Sequence, residues 1–254
     1  MIVGGLSLDR VFPERLPESF RALAVPAAML PGGSWPDAFA DVPCKIVTDP
    51  AAAQFCRMMP DEAFRVRLNF QRQLETTLRK LAEGPVRLAV LAPDVERFAA
   101  DAEFAAKTLD MLRGAWSVLP PGTMRLAVRL RLPNPLGAAS AEAFFRLLQT
   151  VPGLRGVFEL HPHEPAFAAC RPEWLAPFKM LAPTMEIVYG RDLGNRITPK
   201  LLGTWADCFG DTAQDVPMLF RPGLADAAAL TLEAEELAKT VAEWQRAARD
   251  ARTC

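Results

Sequence analysis

Residues 124–162, MRLAVRLRLPNPLGAASAEAFFRLLQTVPGLRGVFELHP, decide the fold. Two short apolar runs, 124–133 and 156–162, each end in proline, and apolar residues recur at helical spacing between them. Those helical residues are Phe144, Leu147, Leu148 and Val151. Short apolar runs bounded by Pro or Gly indicate buried strands, whereas i, i+3/i+4, i+7 spacing indicates an amphipathic helix. The stretch therefore predicts strand, helix and strand, the repeating unit of a parallel sheet.

The same alternation extends in both directions along the chain. Further strand-like runs occupy 2–8, 21–29, 44–50, 86–93, 184–190 and 216–223. The helix predicted for 61–83 has an apolar stripe of Phe70, Leu74, Leu78 and Leu81, and another stripe contains Ala105, Leu109, Leu112, Trp116 and Leu119. Eight strands within 254 residues match the size of a (β/α)8 barrel. We expect an α/β protein with a single TIM-barrel domain spanning 1–254.

A doubly wound open sheet is the competing architecture. The first turn, GGLSLD, lacks the G-x-G-x-x-G spacing of dinucleotide-binding sheets, and the chain contains no P-loop. Arg125, Arg129 and Arg131 alternate within one strand run. Such charges would be costly in a sheet buried on both faces, but at a barrel mouth they can reach water or a ligand. The arginines therefore favour the barrel.

Composition limits the partners and the compartment. The formal net charge is -1, so the basic excess typical of nucleic-acid-binding proteins is missing. The five cysteines are odd in number and form no C-x-x-C pair, which favours reduced thiols over disulfides or structural zinc. The N-terminus lacks a signal-peptide pattern, and no run approaches the roughly 20 apolar residues of a membrane span. We expect a cytoplasmic protein without nucleic-acid or membrane partners.

After residue 60 the chain resembles the xylose isomerase-like barrels. That superfamily includes sugar-phosphate isomerases and epimerases, as well as metal-dependent endonucleases that act at abasic sites. Residues 126–162 are similar to a family strand, loop and helix followed by a strand that carries an acidic residue and His. Residues 187–223 are similar to the family's V-H-x-K-D strand, a helix and a final strand ending in Glu. The resemblance implies a pocket at the strand C-terminal ends and metal-assisted proton transfer next to a carbonyl.

The departures from the family pattern concern the metal. Family members hold a divalent cation with Glu, Asp, His and Glu from different strand ends. Here the first acidic position falls within 128–132, which has no carboxylate, and the second keeps Glu159. The family histidine corresponds to Tyr189, and the final glutamate falls at or next to Arg221. Because at most one of the four ligands remains and arginines enter, we expect no cofactor and no family-type metal site.

Both histidines of the chain, His161 and His163, follow Glu159. One interpretation makes these three residues metal ligands, since side chains two apart on a strand share a face. The other pairs Glu159 with an arginine at the barrel mouth and leaves the histidines at the strand end. Asp9 and Asp49 also follow strands, where barrel ligands can reside, although Asp is a common turn residue.

Arginines gather near the predicted strand ends. Arg129, Arg131, Arg191, Arg196 and Arg221 are candidates for an anion site, because guanidinium groups bind carboxylate or phosphate bidentately. Alternatively they form ion pairs with Glu159, Glu186 and Asp192 or face solvent. The basic-acidic pair Arg191–Asp192 of the family pattern is preserved.

These residues lead to three functional hypotheses. The first is a metal-independent isomerase or epimerase acting on a sugar or sugar acid, with Arg groups stabilising an enediolate. Its catalytic residues would be Glu159, His161 and Tyr189, and its substrate-binding residues Arg129, Arg131, His163, Arg191, Asp192 and Arg221. The second is a non-catalytic barrel that binds an anionic metabolite or a protein partner. The third, a metal-dependent nuclease, would need a metal cluster and a basic groove. The oligomeric state stays open, and a homo-oligomer is compatible with the sequence.

Overall fold

A computed structural model describes residues 2–7, 27–32, 39–48, 59–131, 146–160, 184–189 and 217–222. Its strands form one closed barrel in which every strand pairs in parallel with its neighbours in the chain and β1 pairs with β8. The strands are β1 Ile2–Ser7, β2 Ala27–Pro31, β3 Cys44–Thr48, β4 Val86–Leu91, β5 Arg125–Arg131, β6 Arg155–Leu160, β7 Thr184–Tyr189 and β8 Pro217–Pro222. The predicted (β/α)8 architecture is confirmed.

All eight predicted strands are present, and seven of them lie within two residues of the predicted start. The exception is β2, which covers Ala27–Pro31 rather than 21–29. The strand is displaced toward the small, fully buried residues Ala27 and Ala28 and continues to Pro31. Pro31 is tolerated there because proline is compatible with strand termini. The predicted span 21–26 lies outside the described residues.

Three α-helices lie in the continuous segment 59–131: α1 Phe64–Ala82, α2 Val95–Ala100 and α3 Ala102–Ser117. α1 buries Phe70, Leu74 and Leu78 on the stripe that the sequence predicts. It begins at Phe64 instead of residue 61, because Met59–Asp61 forms a 3-10 turn. None of the described helices combines the length and the hydropathy of a membrane-spanning segment.

The short helix α2 is absent from the sequence-based prediction. Its six residues are too few for a helical period to stand out, and its caps define it instead. The Asp94 carboxylate accepts a hydrogen bond from the Arg97 amide at 2.9 Å, and Asp101 does the same for Phe104 at 3.0 Å, where α3 begins. Aspartate at such N-cap positions satisfies amides that have no partner within the helix.

An exposed ion pair fastens the 3-10 turn to α2. The Arg97 guanidinium donates two hydrogen bonds to the Asp61 carboxylate and lies 4.4 Å from the ring centroid of Phe104. The hydrogen bond from Arg97 holds the pKa of Asp61 below its ordinary value. Because both groups are solvent-exposed, the pair contributes little and is screened by salt.

Apolar residues fill the barrel and cover its outer face. The interior cluster consists of Ala27, Met29, Ile46, Leu88, Val90, Ala127, Val157 and Leu219. The alternate residues Ala28, Val47, Ala89, Leu126 and Val128 are also buried, although they face outward toward the helical layer. Burial on both faces explains why the strands read as nearly continuous apolar runs. Cys44 packs against the interior cluster as a free thiol, and burial raises its pKa.

Candidate functional site

The strand register fixes the height of each strand residue within the barrel. One row of paired residues leads from β1 to β5 through Ser7, Met29, Ile46, Leu88 and Arg125. A second row runs around the barrel in the opposite direction, from β1 through β8, β7 and β6 to β5. It contains Gly5, Leu219, Glu186, Glu159 and Arg131. The rows start two residues apart (Gly5 and Ser7) and end six apart (Arg125 and Arg131), which gives a stagger of about eight residues, as in other (β/α)8 barrels.

This stagger sorts the inward positions into layers. Of two paired residues on strands consecutive in the chain, the one on the later strand lies about one residue lower along the barrel axis. The inward positions of alternate strands therefore lie at the same height. One layer, which we call the apolar layer, contains Met29, Val90, Val157 and Leu219. All four side chains are at most 1% exposed. The apolar layer therefore closes the barrel below the strand C-terminal ends.

The next layer toward the C-terminal ends, here called the polar layer, consists of polar and charged residues. Its positions are Ser7, Thr48, Arg129 and Glu186. The Arg129 guanidinium reaches over the apolar layer, because its Nη2 donates to Met29 Sδ at 3.6 Å. Thr48 is only 1% exposed. A half-buried arginine and a buried threonine thus lie on the apolar layer, where a pocket open toward the strand ends would have its floor.

Further predicted residues lie above the polar layer. Glu159 on β6 pairs with Arg131 on one side and with Glu186 on the other. Arg221 on β8 pairs with Val188, two residues beyond the pair formed by Glu186 and the interior residue Leu219. Since paired positions and positions two apart have the same phase along a sheet, positions 131, 159, 186 and 221 have the same register phase as position 129.

Glu186 is the position that the sequence analysis did not select. It was considered only as an ion-pair partner for the arginines, because the family pattern drew attention to the aligned Tyr189. The alternation of strand positions in TMEIVYG could have identified Glu186, because Glu186 and Val188 have one phase and Tyr189 has the other. The pair with Glu159 identifies the phase of Glu186 as the inner one.

Tyr189 ends β7 and pairs with Pro222, one residue beyond the pair Val188–Arg221. Its register phase is therefore opposite to that of Glu186 and Arg221. The register does not group Tyr189 with Glu159, and its catalytic role stays a prediction. The other predicted residues, His161, His163, Arg191 and Asp192, lie outside the described residues. The same is true of Arg196, Asp9 and Asp49, which the sequence also brought forward.

The expected absence of a family-type metal site stays a prediction. β5 and β8, where the family pattern has its first and last carboxylates, contain Arg129, Arg131 and Arg221 in their sequences. Within the described part of the chain, no group of three or more His, Cys, Asp or Glu is arranged to hold a metal ion.

No protein-family model matches the chain, and no curated protein matches it. Solved structures do match along almost the whole length. D-psicose 3-epimerase from Clostridium cellulolyticum, solved with D-tagatose, has a TM-score of 0.66 at 10% identity, covering 97% of this chain and 99% of that chain. The 3-keto-D-glucoside 4-epimerase from E. coli has a TM-score of 0.58 at 13% identity, covering 94% and 99%.

A third match is the xylose isomerase domain protein from Planctomyces limnophilus, with a TM-score of 0.54 at 12% identity, covering 95% of this chain and 98% of that chain. Identities this low establish the fold alone. The chain therefore has the fold of the xylose isomerase-like TIM barrels, and the resemblance inferred from residues 126–162 and 187–223 is confirmed at that level.

Proposed function

We propose that the chain binds an anionic sugar-type molecule at the C-terminal mouth of the barrel and isomerises or epimerises it without the family's divalent metal. One observation carries the proposal. The register gathers arginine and glutamate positions of β5–β8 on the inner face, directly above the apolar layer. The fold shared with sugar epimerases gives the class of chemistry, since two neighbouring structures are of proteins named as epimerases.

The preference for an anion follows from the charges at these heights. Three positions are arginine and two are glutamate among the described strands: Arg129, Arg131, Arg221, Glu159 and Glu186. The formal balance is one positive charge, on a floor of buried apolar side chains. A carboxylate or phosphate would neutralise that charge, and the planar guanidinium forks suit its oxygens.

The proposed reaction is proton transfer next to a carbonyl. The Glu159 carboxylate removes the proton from the carbon beside the carbonyl group, and the electron pair moves onto the carbonyl oxygen as an enediolate forms. The arginines stabilise that developing negative charge. In an isomerisation the proton returns to the neighbouring carbon, and the proton of the adjacent hydroxyl group passes to the former carbonyl oxygen. In an epimerisation a second acid donates a proton to the opposite face of the same carbon, and the carbonyl group forms again. Glu186 and His161 are the candidates for the second acid in the epimerisation.

Ligand binding is tested by thermal shift and calorimetry with sugar acids, sugar phosphates and the chlorides of Mg, Mn, Co and Zn. Sugar anions should stabilise the protein, and the metals should not, because the arginines oppose a cation. Tight, stoichiometric Mn or Zn in the purified protein would contradict the proposed site. Stabilisation by simple inorganic anions alone would remove the sugar from the proposal.

Catalysis is tested on the panel members that bind, by following deuterium uptake from D2O into the substrate. Glu159→Gln should reduce exchange and turnover at least about a hundredfold, since a general base contributes roughly 100- to 10,000-fold. Glu103→Gln, on the exposed face of α3, is the matched control with the same loss of charge. Both variants should retain the wild-type melting temperature.

The non-catalytic barrel is the second candidate, and the arginines at two carboxylate positions of the family favour it. It predicts anion binding with no deuterium uptake by any ligand in the wild-type protein. The nuclease hypothesis predicts metal-dependent cleavage of abasic-site DNA, for which these positions offer no ligand set. Exchange that disappears in Glu159→Gln but persists in Glu103→Gln would select the catalytic proposal.

A further inference from the structure

Thr48 ends β3 at an inward position that the proposed chemistry does not use. Its backbone is satisfied, since the Thr48 carbonyl accepts a hydrogen bond from the Gly32 amide at 3.0 Å. Its side chain is 1% exposed, and its Oγ1 has no hydrogen-bond partner among the described residues. A buried hydroxyl without a partner costs free energy, whereas valine would fill the same volume without that cost. The hydroxyl therefore lacks a hydrogen-bond partner that a ligand could supply.

The layers give this hydroxyl a direction. Thr48 pairs with Val90 of the apolar layer and shares the polar layer with Arg129, so it lies at the floor of the proposed pocket. Among the described strand positions of this register phase, the charged residues at and above the polar layer belong to β5–β8. The corresponding positions on β1, β2 and β3 are neutral: Ser7, Pro31 and Thr48. Among the described positions, the pocket has one charged half and one neutral half that offers hydroxyl groups.

We propose that Thr48 binds the neutral, hydroxyl-bearing end of the ligand while the arginines of β5 and β8 bind its anionic end. This inference rests on the proposed function and specifies its substrate class. The ligand is a sugar derivative with one terminal anionic group, either a sugar acid or a sugar phosphate, which lies across the polar layer. A compound that is charged at both ends would place an anion in the neutral half and should bind more weakly.

A second threonine provides a matched control. Thr108 on α3 is 0% exposed, and its Oγ1 also has no hydrogen-bond partner among the described residues, but it lies in the helical layer outside the barrel. Thr48→Val and Thr108→Val therefore remove the same kind of unsatisfied hydroxyl. In the unliganded protein both should leave the melting temperature unchanged or raise it.

Ligand affinity should separate the two variants. Binding is measured by calorimetry with gluconate, glucose 6-phosphate, glucarate, which is charged at both ends, and hexanoate, a carboxylate without hydroxyl groups. Thr48→Val should bind gluconate or glucose 6-phosphate about tenfold more weakly than wild type, equivalent to about 1.4 kcal/mol. It should bind hexanoate as wild type does. Thr48→Ser, which keeps the hydroxyl, should stay within about twofold, and Thr108→Val should not differ from wild type.

Four other results would refute the proposed role of Thr48. If Thr48→Val binds the sugar anions as tightly as wild type, the proposed function survives and the role of Thr48 is refuted. Equal loss of gluconate and hexanoate binding, a lowered melting temperature in Thr48→Val alone, or glucarate as the tightest ligand would refute it as well. If no sugar acid or sugar phosphate binds the wild-type protein, the proposed function fails and the inference fails with it.

Discussion

Gly153 lies in the turn that leads into β6, the strand that contains Glu159, and we expect a side chain at this position to be destabilising. Its φ is +80°, in the left-handed region, and the turn is closed by a hydrogen bond from the Leu154 amide to the Val151 carbonyl at 3.1 Å. A Cβ atom at this position would lie 2.5 Å from Cζ2 and 2.6 Å from Cη2 of Trp116 on α3. The ring and the glycine therefore occupy adjoining space with no room for a methyl group.

The magnitude follows from comparison with Gly122, whose φ is +78° but whose added Cβ would meet nothing within 4 Å. Gly122→Ala introduces only the left-handed strain of about 1–2 kcal/mol, partly offset by the smaller entropy of the unfolded chain, a net cost of about 1 kcal/mol. Gly153→Ala adds the overlap with Trp116, which costs about 2 kcal/mol if the ring has to shift. The expected total is about 3 kcal/mol.

Thermal and urea unfolding of both variants check this difference. At about 2 °C per kcal/mol for a chain of this size, Gly122→Ala should melt about 2 °C below wild type and Gly153→Ala about 6 °C below it. Trp116→Phe lacks both clashing atoms, so in that background Gly153→Ala should cost no more than Gly122→Ala. Equal losses for the two single variants, or a double-mutant cycle with no coupling between residues 116 and 153, would refute the steric reasoning.

Two further predictions concern the helical layer. Asp94→Ala removes the cap of α2 and should lower the free energy of unfolding by about 1 kcal/mol. Asp94→Asn, measured in parallel by urea unfolding, should recover most of this free energy. An equal loss in both variants would mean that the carboxylate charge matters instead of the hydrogen bond. Because the pKa of Asp61 is lowered in the folded state, its ion pair stabilises the protein above the ordinary pKa of about 4 and loses that effect as the pH falls through the folded-state pKa. The melting-temperature difference between wild type and Asp61→Asn should accordingly be positive at pH 7, shrink on acidification and shrink in 1 M NaCl; a difference that is independent of pH would exclude the ion pair as its source.

The barrel could be predicted from the sequence because its determinants are local. Each strand is a short apolar run with a Pro or Gly nearby, and burial on both faces makes such runs conspicuous. The arginines within 124–133 pointed to a barrel rather than an open sheet, and the inward Arg129 supports that interpretation. Short α2 could not be predicted in this way, because it depends on the caps Asp94 and Asp101 and not on an apolar period.

The site was harder to predict because it depends on register between strands distant in the sequence. Glu159 and Arg131 were both selected because they lie near predicted strand ends, and their roles stay predictions. Their direct pairing is a property of the sheet register. Tyr189 was chosen by similarity to a family motif, which contains no information on phase in this chain. Positions separated by an odd number of residues have opposite phases along a strand. Tyr189 and Glu186 are three residues apart and therefore have opposite phases.

The layered interior keeps the apolar core of the barrel apart from the polar positions near the strand C-terminal ends. The apolar layer of Met29, Val90, Val157 and Leu219 is almost fully buried and lies below the strand C-terminal ends. Arg129 is accommodated because its guanidinium extends over that layer, where it donates a hydrogen bond to Met29 Sδ, instead of entering the layer. An arginine at the position of Val157, in contrast, would place a charge within the closed core and should prevent folding.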